Sequence, residues 1–289
     1  MPAERSVSAD GVPLHAREWP GGDRSALLVH GLASTSRIWD LVAPMLADAG
    51  LHTVAYDQRG HGRSGKPRSG YGFDRTAADA AAVARAFGLK RPVVVGHSWG
   101  ANVVLELAVR RPRLVSGAVL IDGGFIDLRD RFDWPTAREV LAPPPIAGTP
   151  VHQFLHGVRR HLGKALEVTP EVEAVLLSLV RVDGDERIHP RLSRANHLRI
   201  LRALWEQATL GLLRRVRVPT LVLAVRSPPD ASGPPGFREH KQRAARLVRQ
   251  IGEPVRFEWI DGIHDVPLQR PDAVARRILR RRGARRMEA

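Results

Sequence analysis

The sequence predicts an α/β protein: a mostly parallel sheet flanked by helices, with a helical insertion near its middle. Three observations lead there. Short apolar runs rich in Val, Leu and Ile alternate with longer stretches whose apolar residues recur at helical spacing. One such run, RPVVV, ends in a glycine-rich turn that opens directly into the helical pattern ANVVLELAVRR. The alternation then fails over residues 125–215, where only helical spacing is evident.

The segment 14–19 reads as an antiparallel edge hairpin. Core strand patterns follow at 26–29, 53–56, 92–95 and 117–121, and again after the insertion at 220–225 and 255–260. Helical patterns occupy 38–49, 76–88, 101–110, 237–251 and 271–282; in the third, Val103 and Leu107 fall on one side and Arg110 on the other. The insertion carries APPPIAGTP at 142–150, which a helix interior or a central strand cannot contain, because proline fixes φ and lacks the N–H. Helical spacing then recurs at Val151, Leu155, Val158 and Leu162, at Val172, Val175, Leu176 and Leu179, and at Leu198, Leu201, Leu204 and Trp205. No strand pattern is evident there. The expected division is a core of residues 1–124 and 216–289 and a helical cap, or lid, of residues 125–215. There is no internal repeat.

Composition excludes whole classes of function. The 289 residues contain no cysteine, which removes disulfide frameworks, thiolate zinc sites, iron–sulfur clusters and cysteine nucleophiles. The net charge of +15 invites a nucleic-acid reading. However, 41 of the 45 basic residues are arginines, scattered except for the run ARRILRRRGARR near the C-terminus. No RNA-binding aromatic signature or zinc-finger spacing accompanies them, so a solvated basic face is the expectation and nucleic acid is not an expected partner. Apolar runs fall far short of the ~20 residues that span a membrane. The opening MPAERSVSADG has no apolar segment of the secretory kind, so a cytoplasmic protein without a membrane partner is expected. The sequence carries no signal of oligomeric state.

Chemistry concentrates at three places. Gly96-His97-Ser98-Trp99-Gly100 follows a buried strand and opens a helix. A G-x-S-x-G sequence in that context sets a serine on a sharp strand-to-helix bend, with glycines where side chains would clash and a helix N-terminus that favours developing negative charge. His30-Gly31-Leu32 follows the strand ALLV directly, where a tight turn aims a backbone N–H across the sheet. The N–H groups of Leu32 and Trp99 would together form an oxyanion hole, worth ~3–4 kcal/mol per donor. His30 itself reads as holding the turn. His264, in IDGIHDVPLQRP, lies just past the last strand, at the carboxyl edge where open α/β sheets place their sites.

With these residues in view, the chain resembles the α/β-hydrolase-fold superfamily over essentially its whole length. HGLASTSRIW, YDQRGHGRS, VVVGHSWG, VLIDGG and DGIHDVPLQRP fall in the family's order. The HG-x…W opening and Trp99 resemble the haloalkane dehalogenase and epoxide hydrolase branch, whose members carry an aspartate where this chain has Ser98. Alkyl-ester chemistry needs that carboxylate; a serine forms an acyl-enzyme instead. The resemblance therefore implies a serine hydrolase acting on a small or medium apolar carboxylic ester or lactone, with Ser98 as nucleophile, His264 as base, and no cofactor or metal.

The family's acid has two candidates. Many members keep it just past the strand equivalent to 220–225, where this chain reads Arg226-Ser227-Pro228-Pro229-Asp230. A stiff Pro-Pro pair advances ~3 Å per residue and carries Asp230 well beyond the strand end. Asp122 ends VLID, 24 residues after Ser98, where some members of the dehalogenase branch keep theirs, and it is preferred; a turn-capping role before Gly123 is its other reading. Two further function classes stay open: a non-hydrolytic lyase or cyclase of specialised metabolism, and a slow-turnover ligand-binding relative. Trp134, Phe154, His197 and Trp205 are candidates to line a substrate pocket, and packing between cap helices accounts for them equally well. His152 and His156 stand four apart like zinc ligands, but HQFLH lacks the glutamate of H-E-x-x-H and reads as a solvated face. In the loop Asp57–Ser64, Asp57 and Arg59 are expected to fix neighbouring turns.

Overall fold

The structure, a computed structural model, describes residues 2–163, 165–228 and 236–280. It opens with an antiparallel hairpin of β1 (Ala3–Ala9) and the long β2 (Val12–Val29). A 3-10 turn, Ser36–Trp39, and α1 (Ala43–Asp48) lead into β3 (Leu51–Tyr56). Then come α2 (Phe73–Ala86), β4 (Val93–His97), α3 (Trp99–Arg110) and β5 (Gly117–Ile121). The second half of β2, Ser25–Val29, runs beside β3, while its first half returns along the same strand, with Ala16 opposite Tyr56 and Trp19 opposite Thr53. From β4 onward the strands of this sheet are parallel, β4 pairing with β2 and β5 with β4.

Between β5 and the next sheet strand the chain forms a 3-10 turn at Leu128–Asp130, α4 (Trp134–Val140), α5 (Val151–Leu162) and α6 (Pro170–Ser178). A small antiparallel hairpin of β6 (Val180–Val182) and β7 (Ile188–Pro190) follows, then α7 (Arg194–Glu206) and α8 (Thr209–Leu213). The sheet resumes with β8 (Thr220–Arg226), α9 (Phe237–Ile251), β9 (Val255–Asp261), α10 (Val266–Gln269) and α11 (Pro271–Arg280). The order across the seven-stranded sheet is β1-β2-β4-β5-β8-β9, with β3 on β2. Among the described residues no helix is long and apolar enough to cross a membrane.

Two local readings need correcting. The helical pattern over 38–49 is divided in the structure, because Pro44 lacks the N–H a helix interior requires and stands in the first turn of a new helix, α1. The insertion also contains strands, β6 and β7. Each has three residues, and their charged neighbours hide the alternation. The hairpin is held by Asp183, whose Oδ1 accepts the N–H groups of Asp185 and Arg187 at 3.1 and 2.9 Å.

Period-two alternation in the strands divides the core into two apolar layers. Leu27, Val29, Val94, Ala118, Leu120, Val222 and Ala224 face the layer that holds α2, α3 and α8. Ala26, Leu28, Val93, Val95, Val119, Ile121, Leu221 and Leu223 face the layer of α1 and α11. The insertion shares both layers. Leu166, Val172, Val175 and Leu176 join the second, whereas Leu192, Ile200, Leu210 and Leu213 join the first.

Polar contacts tie the insertion to loops that follow sheet strands. Thr35 Oγ1, after β2, lies 2.6 Å from Ser178 Oγ. Asn196 Nδ2 donates to Tyr71 Oη at 2.7 Å, and Gln269 Nε2 donates to the Ala165 carbonyl at 2.7 Å. These three segments all follow strands at the carboxyl edge of the sheet, so the insertion straddles that edge.

Candidate active site

The bend between β4 and α3 is built by close backbone approach. A Cβ on Gly96 would stand 2.2 Å from the Gly100 carbonyl oxygen, and one on Gly100 would stand 2.3 Å from that of Val29. Only glycine fits at either position. Ser98 sits between them at φ 54°, ψ −126°, a sparsely populated conformation that costs on the order of 1–3 kcal/mol and persists where its surroundings over-determine it. Here they do: its N–H donates to Ile121 O at 2.8 Å and its carbonyl accepts the Ala101 N–H at 2.9 Å. Gly123 presses against the same carbonyl so closely that a Cβ there would be 2.1 Å away.

The His30–Leu32 turn lies against this serine, with Gly31 placed so that an added Cβ would be 3.0 Å from Ser98 Cβ. His30 is fully buried and bonded at both nitrogens. Nδ1 donates to Gly31 O at 2.7 Å, while Nε2 accepts the Gln58 N–H at 2.9 Å. It therefore holds the turn in a neutral tautomer, and burial keeps its pKa low. His61 does the same one residue along, accepting the Ala33 N–H at 3.2 Å, donating to Arg59 O at 3.0 Å and stacking on Trp99 at 5.4 Å. Burial, reinforced by His30, pushes its pKa down to about 3. The Leu32 and Trp99 N–H groups donate to no protein acceptor among the described residues.

Asp122 and His264 come together across the end of the sheet. His264 Nδ1 donates to Asp122 Oδ2 at 2.7 Å. Asp122 follows β5 at φ 46° with its carboxylate buried, and its other oxygen accepts the Val225 N–H of β8 at 2.9 Å. Burial raises its pKa, but the His264 hydrogen bond and Lys241 outweigh that and hold the carboxyl well below the usual range. His264 stands in the loop between β9 and α10 with 54% of its side chain exposed. Burial disfavours its charged form, yet the Asp122 hydrogen bond and charge prevail and its pKa lies above the ordinary histidine value. The loop is fixed from below by His97, which precedes Ser98 and whose Nε2 donates to the His264 carbonyl at 2.8 Å. Burial and the neighbouring His264 push the His97 pKa down to about 4. Among the described residues no hydrogen bond joins Ser98 Oγ to His264. Asp230 lies outside the described residues.

The pocket candidates separate. His197, on α7, is buried, with Nε2 donating to Leu141 O at 3.1 Å, and burial lowers its pKa. Trp134 and Trp205 instead pack on each other with ring centroids 5.9 Å apart, and the Arg202 guanidinium lies over both rings. Trp205 Nε1 donates to Phe132 O at 2.8 Å. Phe154 is half-buried on α5, and His152 and His156 on the same helix are exposed. Asp57 accepts the N–H groups of Ser36 and Arg63 at 2.7 and 2.8 Å, and Arg59 makes a buried two-point pair with Asp79 at 2.6 and 2.7 Å.

Two residues escaped the sequence reading. Asn102 Oδ1 accepts the Gly124 N–H at 3.1 Å and its Nδ2 donates to Gln207 Oε1 at 2.7 Å, clamping the Asp122 turn to the end of the insertion. Lys241 lies 2.5 Å from Asp122 Oδ1. The signal for Lys241 was its position. It stands at the head of an apolar stripe, Ala244, Ala245 and Val248, on a helix whose other cations face solvent.

Comparison with known proteins agrees with this architecture. A family model described as alpha/beta hydrolase fold matches residues 27–145. The solved structure of E-2-(acetamidomethylene)succinate hydrolase superposes with a TM-score of 0.77 over 98% of this chain and 100% of that one, at 22% identity. The chain has the α/β-hydrolase fold. It is 38% identical over 116 residues to a non-heme haloperoxidase of Rhodococcus erythropolis, a match covering 40% of this chain and 42% of the relative. It is also 41% identical over 108 residues to epoxide hydrolase A of Mycobacterium tuberculosis, covering 36% of this chain and 33% of the relative. The matches thus span less than half the length of these curated relatives.

Proposed function

We propose that the chain is a serine hydrolase that cleaves a small or medium apolar carboxylic ester or lactone through an acyl-enzyme. The observation that carries this reading is the Asp122–His264 hydrogen bond of 2.7 Å at the sheet edge where Ser98 is held in a strained bend. A carboxylate on Nδ1 leaves Nε2 as the imidazole's free base, the atom that takes a proton from a serine hydroxyl.

In this mechanism Ser98 Oγ attacks the acyl carbon as His264 Nε2 removes its proton. The carbonyl oxygen gains negative charge and is stabilised by the Leu32 and Trp99 N–H groups at the head of α3. The imidazolium, stabilised by Asp122, returns its proton to the departing alkoxide, which leaves as an alcohol. For a lactone the hydroxyl stays on the acyl chain. Water, deprotonated by the same imidazole, then attacks the ester of Ser98; the acyl–Oγ bond breaks, the carboxylic acid is released, and the imidazolium returns its proton to Ser98 Oγ. The similarity to an epoxide hydrolase does not extend to epoxide opening in this reading, because a serine cannot supply the carboxylate nucleophile. The fastening of the insertion to loops and helix at the carboxyl edge supports a substrate site between the insertion and that edge.

The test is hydrolysis of a panel of p-nitrophenyl esters and short lactones by the wild-type chain and by Ser98→Ala. The reading expects turnover in the former and a loss of at least ~10⁴-fold in the latter, with circular dichroism unchanged. Equal turnover by both proteins, or none by either, would overturn it.

A further inference from the structure

The Asp122 carboxylate serves three partners at once. Oδ2 accepts from His264, while Oδ1 faces both the Val225 N–H at 2.9 Å and Lys241 Nζ at 2.5 Å. Lys241 Nζ also donates to Val225 O at 2.8 Å, so ammonium, carboxylate and strand end form one closed arrangement. Lys241 is only 9% exposed. Its neighbours along the buried face of α9 are Ala244, Ala245 and Val248, so helix packing alone calls for an apolar residue there. A buried ammonium is costly unless paired and hydrogen-bonded, and here both conditions are met by the one carboxylate that His264 also uses. The chain employs arginine at 41 of its 45 basic positions, yet this position carries a compact lysine that fits beneath the carboxylate.

We propose that Lys241 is a positioning residue for the hydrolytic reaction read above: it turns the Asp122 carboxylate so that Oδ2 meets His264, and it offsets part of that carboxylate's charge, keeping the imidazole in its free-base form near neutral pH. The proposal rests on that reading for its catalytic meaning, and on the contacts alone for its electrostatics. Protonating His264 puts a second cation on the row Lys241–Asp122–His264. Removing the ammonium leaves the full carboxylate charge to act on the imidazole, so His264 then takes up a proton at higher pH. Among the described residues, the other titratable groups that reach the imidazole are Asp265 on its own loop, which favours the imidazolium, and His97 at the end of β4, which is neutral in this pH range. Lys241 opposes the imidazolium, as the arrangement requires.

The experiment uses Lys241→Met and Lys241→Gln as neutral variants and Lys241→Arg as the charge-conserving one. His264 is titrated by NMR in a Ser98→Ala background, and the pH profile of kcat/KM on p-nitrophenyl acetate is measured with Ser98 intact. In both neutral variants the NMR titration and the acid limb of the profile are expected to move to higher pH. The imidazolium becomes about fivefold more populated at a given pH, as expected for a unit charge held on the far oxygen of the carboxylate from a half-exposed imidazole. Lys241→Arg returns both toward wild type. A purely structural role would lower the plateau rate and leave the limb in place, and that outcome, or an unmoved NMR titration in the neutral variants, overturns the proposal. Lys241→Gln keeps a donor for Val225 O and decides the matter if Lys241→Met does not fold. Because the titration needs no turnover, a wild-type chain that hydrolyses no ester refutes the functional reading separately, while the NMR shift still decides the electrostatic link.

Discussion

The sheet edge and the insertion hold their side chains by different means. At the edge, position follows from backbone contact. Gly96, Gly100 and Gly123 stand where any Cβ would collide with a carbonyl oxygen, and the result is a fixed Ser98 beside a fixed Asp122. In the insertion, position follows from side chains leaning on side chains. Trp134 and Trp205 face each other under Arg202, and the helices draw their apolar residues into the two layers of the sheet. The first kind of constraint suits chemistry and the second suits specificity. Backbone constraint holds reacting groups within tenths of an ångström, whereas packed helices tolerate exchange of the residues that meet a substrate.

The largest contrast is expected from the acid. Asp122→Asn is nearly isosteric, so folding should survive, but the amide no longer fixes the imidazole tautomer or stabilises the imidazolium. A loss of ~10⁴-fold in kcat is expected on an activated ester. Near-normal activity in this variant beside a large loss in Asp230→Asn would return Asp122 to the role of a turn cap.

The pH dependence follows from the same pair. His264 must be neutral to act as base, and Asp122 holds its pKa above the ordinary value of 6.5. The rate should therefore fall about tenfold per pH unit below a limb that lies above 6.5. A flat profile from pH 5.5 to 8.5 on a substrate whose chemistry limits the rate would contradict His264 as the base.

How much of this was legible in the sequence depended on which of the two kinds of constraint applied. The strands were readable because alternate residues such as Val93 and Val94 serve opposite layers, and α9 matched its spacing residue for residue. Ser98 was readable because a strand, two glycines and a helix leave few ways to make the bend. The pairing of Asp122 with His264 was reached only through the family resemblance, which preferred Asp122 to Asp230: it joins residues 142 apart, and nothing local distinguishes a paired aspartate from a turn cap. Lys241 was hidden for a related reason. A cation on a basic helix looks solvated until the face it occupies is known, and only its place among Ala244, Ala245 and Val248 gives it away. The β6–β7 hairpin was missed because three-residue strands are too short to show a period.

A smaller effect, on stability and not on chemistry, is expected from Asp57, the structural carboxylate behind the His30 turn. Burial pushes its carboxyl up, but His15 and the N–H groups of Arg63 and Ser36 outweigh burial and hold it below the usual range. A carboxyl depressed in the folded state contributes stability that is complete above the unfolded value of about 4 and is lost as pH falls toward the native one. Asp57→Asn should cost about 2–3 kcal/mol at pH 7 and less below pH 4, measured by urea unfolding across that range. A constant difference over the same range would show that its charge is not what stabilises the loop.

The smallest effect belongs to the insertion. Trp205→Phe removes one hydrogen bond, to Phe132 O, and should lower stability by about 1 kcal/mol while kcat stays within a few-fold of wild type. A kcat loss comparable to that of Asp122→Asn would place the tryptophan pair in the reaction itself and erase the contrast between the two regions.

Covalent labelling tests most directly whether the strained serine at the sheet edge is the nucleophile. A fluorophosphonate probe should modify the wild-type chain with one label per molecule, mapped by peptide mass spectrometry to Ser98 and abolished in Ser98→Ala. A label on Ser34 or Ser227, or a folded wild-type chain that takes up none, would contradict it.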